Sequence, residues 1–122
     1  MLKFVEMDKL VTLQMQLDEN ISPVILINKF NVAPEDVDAL IKAWVDDSAY
    51  MKEQPGYIST QLHRGIGESC VFINYAVWES VEDFKRAFNN PEFKAKLSHY
   101  PSSAETSPHL FQKVAVPRIC VD

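Results

Sequence analysis

The order of apolar periods along this chain predicts an α+β fold, an antiparallel sheet with helices on one face. Three observations carry it. From residue 23 onward, segments read strand, helix, strand, strand, helix, strand. The turn GIGE at 65–68 joins the two middle strands as a hairpin. Both helical segments carry a single apolar stripe, so each covers one side of a layer.

The elements follow in order. KLVTLQMQLDENIS (9–22) alternates Val11, Leu13, Met15 and Leu17 with Thr12, Gln14 and Gln16. That is period 2, a half-buried strand. PVILINKFNV (23–32) is a second strand, apolar on both parities and interrupted by Asn28. A helix follows from Ala33 to the Pro55-Gly56 stop. Pro34 suits its first turn, and Glu35 and Asp36 suit its positive end. Val37, Leu40, Ile41, Trp44, Ser48 and Met51 recur at helical spacing as one mostly apolar stripe. YISTQLHR (57–64) and SCVFINYAVW (69–78) are the hairpin strands. Ser80 with Asp83 starts the next helix in the manner of a capping box, with Val81, Phe84, Ala87 and Phe88 inward. Asn90 and Pro91 open a further short helix, PEFKAKL. SHYPSSAETSP (98–108) reads as a polar loop and HLFQKVAVP (109–117) as the last strand. This is the split βαβ, or ferredoxin-like, arrangement. The expected division is an arm with an extra strand (1–22), the ferredoxin-like domain (23–117) and a tail (118–122).

The chain has 122 residues, 47% apolar and 24% charged, with a net charge of −5. That suits one globular domain. Nucleic acid and anionic membranes both require a positive footprint, so neither is an expected partner. Cys70 and Cys120 form neither a metal spacing nor a disulfide framework. With no signal-peptide pattern and no apolar run near the length of a membrane span, the expected location is the cytoplasm.

The strand 71–77 has two apolar faces. Val71, Ile73, Tyr75 and Val77 share one; Phe72, Asn74, Ala76 and Trp78 share the other. Helices cover only one face of a sheet. An uncovered apolar face marks an association surface, and a second copy is its simplest cover. The expectation is a homodimer joined through the odd-numbered face, with Asn74 and Trp78 lining a space beneath the helices. A buried amide needs partners, since an unpaired one costs about 1–3 kcal/mol. Asn74 therefore ties its strand to a neighbour, pairs with Asn28, or faces a ligand.

ILINKFNV, QPGYISTQLHR, FINYAVWES, NPEF and SPHLFQKVAV together resemble the antibiotic biosynthesis monooxygenase family. The resemblance covers about residues 23–116 and implies a dimeric α+β barrel. In its quinone-forming branch, polycyclic phenols are oxidised by O₂ with no metal or flavin. That branch carries an Asn-x-x-x-Trp pair on this strand, matched by Asn74 and Trp78. The resemblance thus implies no cofactor and a small aromatic or quinol-like substrate. It assigns catalysis to Asn74 and Trp78; together with the facing of the strands and helices, the expected substrate contacts are Asn28, Phe72, Tyr50, Phe84 and His99. Phe84 stands where that branch has a tyrosine. A haem-degrading branch uses an asparagine on the first strand, the same tryptophan and a helical histidine. Asn28 and Trp78 match, but the histidine position falls at Leu97, with His99 two residues beyond. The resemblance therefore favours the aromatic oxygenase. A binding dimer without catalysis is the reading from another class. His99 and His109 flank the polar loop, and either suits a general base by chemistry alone. No histidine pair stands at metal spacing.

Overall fold

The computed structural model describes residues 1–121; Asp122, the end of the predicted tail, lies outside them. The elements are β1 (Lys3–Phe4), α1 (Leu13–Gln16), β2 (Val24–Asn31), α2 (Val37–Lys52), β3 (Tyr57–Arg64), β4 (Val71–Trp78), α3 (Val81–Phe88), α4 (Pro91–Lys96) and β5 (Glu105–Phe111). They form one five-stranded sheet in the order β1-β5-β2-β4-β3. All pairings are antiparallel except β1 with β5. This is the ferredoxin-like α+β fold, with a short strand added at one edge.

Local chemistry sets the helix starts. The Ser80 hydroxyl accepts from the Asp83 N–H at 3.1 Å and donates to the Asp83 carboxylate at 2.8 Å, a reciprocal cap. The Asn90 side chain accepts from the Glu92 N–H at 2.8 Å and starts α4. Gly56, between α2 and β3, has φ +89°, and a Cβ there would lie 2.3 Å from that of Asp83. Only glycine lets the end of α2 approach α3 this closely.

The structure corrects two expectations about strands. Residues 9–22 do not form a strand. Thr12 caps a four-residue helix by accepting from the Met15 N–H, and the extra strand lies earlier, at Lys3–Phe4. The alternating set 11, 13, 15, 17 contains a helical i,i+4 pair, Leu13 and Leu17. Those two are 2% and 3% exposed, whereas Met15 is 53% exposed. Tertiary packing against Leu26, Trp78 and Leu110 selects the helical pair. The last strand runs from Glu105 to Phe111, not from 109 to 117, so it begins inside the predicted polar loop. Pro108 is tolerated because its nitrogen faces the outer edge of β5. Thr106 and Leu110, of the same parity, send their backbone groups outward to Val5 and to the Gln16 side chain. No inner ladder bond is lost.

The two sheet faces differ as expected. Phe72, Ala76 and Trp78 are buried toward the helices, whereas Ile73 and Tyr75 on the opposite face are 38% and 39% exposed. Two apolar clusters fill the helix side. One centres on Trp78 and Phe84, the other on Phe30, Phe72 and Tyr100. A cavity opens where they meet.

Candidate functional site

The cavity holds about 370 Å³ and lies between the sheet and α2, α3 and α4. That is within the size range of small-molecule sites, roughly 300–1,000 Å³. Its floor comes from the even-numbered positions of the central strands. Asn28 and Asn74 are direct cross-strand partners on β2 and β4, and both line it. They do not pair with each other. Asn28 Oδ1 accepts from the Thr106 hydroxyl at 2.7 Å and from the Ser107 backbone N–H at 3.1 Å. The N–H donor identifies that atom as the oxygen. Asn74 Oδ1 accepts from the Thr60 hydroxyl. Both carbonyl oxygens are thus used inside the sheet. Neither carboxamide NH₂ has a hydrogen-bond partner among the described residues.

Four residues after Asn74, Trp78 lines the same cavity. Tyr57 and Phe84 meet its ring edge-on, each with centroids 5.7 Å away. That packing locks the indole in place. Trp44, Phe88 and Phe93 add to the aromatic wall. Lys94 also lines the cavity, its ammonium 3.8 Å from the Phe88 ring centroid. Partial burial pulls its pKa below the usual lysine value.

The roof contains a group the sequence reading passed over. Trp44, Asp47, Ser48 and Met51 of α2 all line the cavity. Their spacing is i, i+3, i+4, i+7, one face of a helix. Asp47 therefore sits within the apolar stripe and is 8% exposed. Tyr100 donates its hydroxyl to Asp47 Oδ2, and Ser48 donates to Oδ1 at 3.2 Å. Burial raises the Asp47 pKa to about 6, against the opposing effect of these two donors. Burial and the adjacent carboxylate push Tyr100 well above the ordinary tyrosine value. The available signal was an aspartate at i+3 from Trp44 and i+4 from Ala43, both on the buried side.

The expected contact residues divide into two groups. Asn28, Asn74, Trp78 and Phe84 converge on the cavity. Phe72, Tyr50 and His99 are not part of its wall. Phe72 is packed in the Phe30 cluster. Tyr50 stacks on Phe93, and its buried hydroxyl has no partner among the described residues. His99 points outward, its side chain 59% exposed, and bonds Asp46 at 3.0 Å. His109 lies on the opposite sheet face, against Gln16. Leu97 does line the cavity, but it has nothing with which to ligate iron. The N-terminal arm contributes Met1, Leu2 and Phe4 to the wall, a role its sequence did not reveal.

A sheet with helices on one face, and between the layers a cavity lined by aromatic rings and two carboxamides, define a ferredoxin-like domain with a chamber of small-molecule size. Residues 23–96 match the model of the antibiotic biosynthesis monooxygenase family, and the chain belongs to that family. Among solved structures, it is 33% identical to a monooxygenase candidate from Shewanella loihica PV-4. The match has a TM-score of 0.68 and covers 80% of this chain and 99% of that one. SnoaB, a cofactor-independent oxygenase from Streptomyces nogalater, is 22% identical, with a TM-score of 0.67 and the same coverage. An antibiotic biosynthesis monooxygenase candidate from Caulobacter crescentus CB15 is 20% identical, with a TM-score of 0.69 over 77% of this chain and 92% of that one. No curated protein sequence matches the chain. Among the described residues, no helix is long and apolar enough to cross a membrane.

Proposed function

We propose that this chain is a cofactor-independent monooxygenase that oxidises a small aromatic or quinol-like compound with O₂ in the cavity. One observation carries the reading. Two carboxamides, their oxygens already engaged within the sheet, bring NH₂ donors to a mostly apolar, aromatic-rich chamber. In the overall reaction a phenol bearing a ring C–H takes up O₂ and yields a quinone and water. The substrate, as its phenolate, is the reductant. Negative charge passes from its oxygen to a bound peroxide as the reaction proceeds. Neutral donors fixed in a low-dielectric site stabilise that charge without needing to reorganise. Asn74 and the Trp78 indole take this role, Asn28 orients the substrate, and Phe84 and Phe88 hold its ring. Family membership and the likeness to SnoaB support the same reading.

The protein used in the test is the purified, metal-free chain, and the measurement is O₂ consumption with a panel of polycyclic phenols. Wild type is expected to consume O₂ with at least one of them. Asn74→Ala is expected to lower that rate by about 10²–10³-fold, the usual cost of one oxyanion donor. If wild type and Asn74→Ala both match the buffer blank, the oxygenase reading fails. Binding without turnover would instead point to a non-catalytic binding protein. The exposed odd-numbered face, with Ile73 and Tyr75 at its centre, supports a homodimer formed by two such sheets. Light scattering at micromolar concentration is expected to give twice the chain mass; a monomer mass would refute the dimer.

A further inference from the structure

We propose that the Asp47 carboxylate, held by the hydroxyls of Tyr100 and Ser48, is the proton acceptor for the substrate's hydroxyl. The proposal rests on the aromatic-oxygenase reading and adds to it the base that the sequence reading did not locate. Carboxamides and an indole stabilise an anion but do not generate one. A phenol is a sluggish reductant toward O₂ until it loses its proton.

Elimination within the cavity leads to Asp47. Among the described residues, it is the one carboxylate in the wall, and no histidine lies there. The Lys94 nitrogen lies 3.8 Å from the Phe88 ring centroid, a contact that favours its charged, donating form. Burial raises the pKa of Tyr57 and Tyr100, which keeps both protonated. Asp47 is also built to remain in place. Each of its oxygens accepts one hydroxyl hydrogen bond, from Ser48 and Tyr100. A carboxylate has about four lone-pair sites, so acceptor capacity remains for a ligand.

The charges around it are mixed. Asp46 on its own helix repels it, and Lys96 on α4 attracts it. Tyr100, from the segment after α4, hydrogen-bonds it, and Lys94 stands in the same wall. With a pKa near 6, the group is ionised at neutral pH and still basic enough to take a proton.

The proton balance closes without another reagent. The substrate O–H bond breaks, an O–H bond forms on Asp47, and the electron pair stays on the phenolate oxygen. The phenolate then reduces O₂. The new C–O bond forms at the ring carbon that bears hydrogen. As the O–O bond breaks, that carbon becomes the second C=O. The departing oxygen takes the Asp47 proton and the ring hydrogen, as its proton, and leaves as water, restoring the carboxylate. Tyr100 is a positioning residue here, acting through Asp47.

The test compares wild type, Asp47→Asn and Tyr100→Phe on a phenol that wild type oxidises. The readouts are kcat and KM across pH, with binding of the same phenol under anaerobic conditions. For wild type, kcat/KM is expected to fall as pH drops through about 6. Asp47→Asn is expected to bind the phenol within a few-fold of wild type but to lose about 10²–10⁴-fold in kcat at pH 7. That loss should shrink above the phenol's own pKa, where the substrate arrives already ionised. Tyr100→Phe removes a hydrogen bond that lowers the Asp47 pKa, so its acid limb should move to higher pH. It also serves if Asp47→Asn does not fold.

An Asp47→Asn deficit that stays constant through the phenol's pKa would overturn the proposal, as would unchanged kcat in that variant. So would an acid limb unmoved by Tyr100→Phe. If wild type oxidises no phenol at all, the oxygenase reading itself fails and this proposal falls with it. A failure confined to the variants leaves that reading intact.

Discussion

Asp46 and Asp47 are neighbours on α2, yet the two faces of that helix treat them in opposite ways. Asp46 lies on the outer face. His99 and Lys96 reach it at 3.0 and 3.4 Å, and hydrogen bonding from His99, with smaller help from Lys96, holds its carboxyl below the ordinary aspartate value. Asp47 is rotated by one residue, about 100°, into the roof of the cavity. Desolvation there outweighs two hydroxyl donors, and the pKa rises to about 6. The outer carboxylate gains from folding as an anion, and the inner one is made worse off by it. A group kept at a cost to the fold is the kind that function explains.

The larger expected effect concerns Asp47. Its pKa in the fold is above its unfolded value of 3.8. The associated stability is therefore complete below about pH 4 and lost as pH rises through about 6. A shift of this size corresponds to roughly 3 kcal/mol at neutral pH. Asp47→Asn keeps a partner for Tyr100 and removes the charge. It is expected to raise the denaturation midpoint at pH 7, by about 1–3 kcal/mol of stability, and to leave it near wild type at pH 4. Urea melts at both pH values check this. A midpoint lowered at pH 7 would show that the carboxylate is a structural anchor, and the contrast between the two faces of α2 would be lost.

Much of this molecule was readable from residue order. The β2–α2–β3–β4–α3–β5 core follows from periods, a hairpin turn and two caps, each a local signal that tertiary packing reinforces. The facing of β4 was readable because a strand alternates strictly, so placing Trp78 also places Asn74, Ala76 and Phe72. Two kinds of information were not local. The stretch from Val11 to Leu17 satisfies both a strand period and a helical pair. Only the pocket made by Leu26, Trp78 and Leu110 decides between them. Phe72 shares its face with Asn74 yet packs away from the cavity, and whether a residue on a given face meets a void depends on what the helices bring opposite it. Asp47 could have been found. Its spacing from Trp44 and Met51 places it in the apolar stripe, and an acidic residue there conflicts with the pattern around it.

The smaller effect concerns Asp46, and it sharpens the contrast from the other side. Its pKa in the fold is lowered, with hydrogen bonding to His99 the largest cause. The stability it contributes is therefore present above its unfolded value of 3.8 and lost as pH falls through the lower folded value. The sign is opposite to that of Asp47. The pair is exposed, however: the His99 side chain is 59% accessible and that of Asp46 44%. Water and salt screen such contacts, and surface ion pairs contribute little net stability. Asp46→Asn is expected to lower the midpoint only slightly at pH 7 and low salt. At high salt the difference should disappear, because the Debye length shrinks to about 3 Å at 1 M. Turnover at pH 7 should change little, since Asp46 does not line the cavity; because its charge repels Asp47, its removal should move the acid limb slightly to lower pH. Melts at low and high salt, with kcat on the same samples, provide the measurement. A loss as large as the gain from Asp47→Asn, persisting in high salt, would mean that the outer face of α2 is structurally committed too. The opposition between its two carboxylates would then reflect their partners more than their burial.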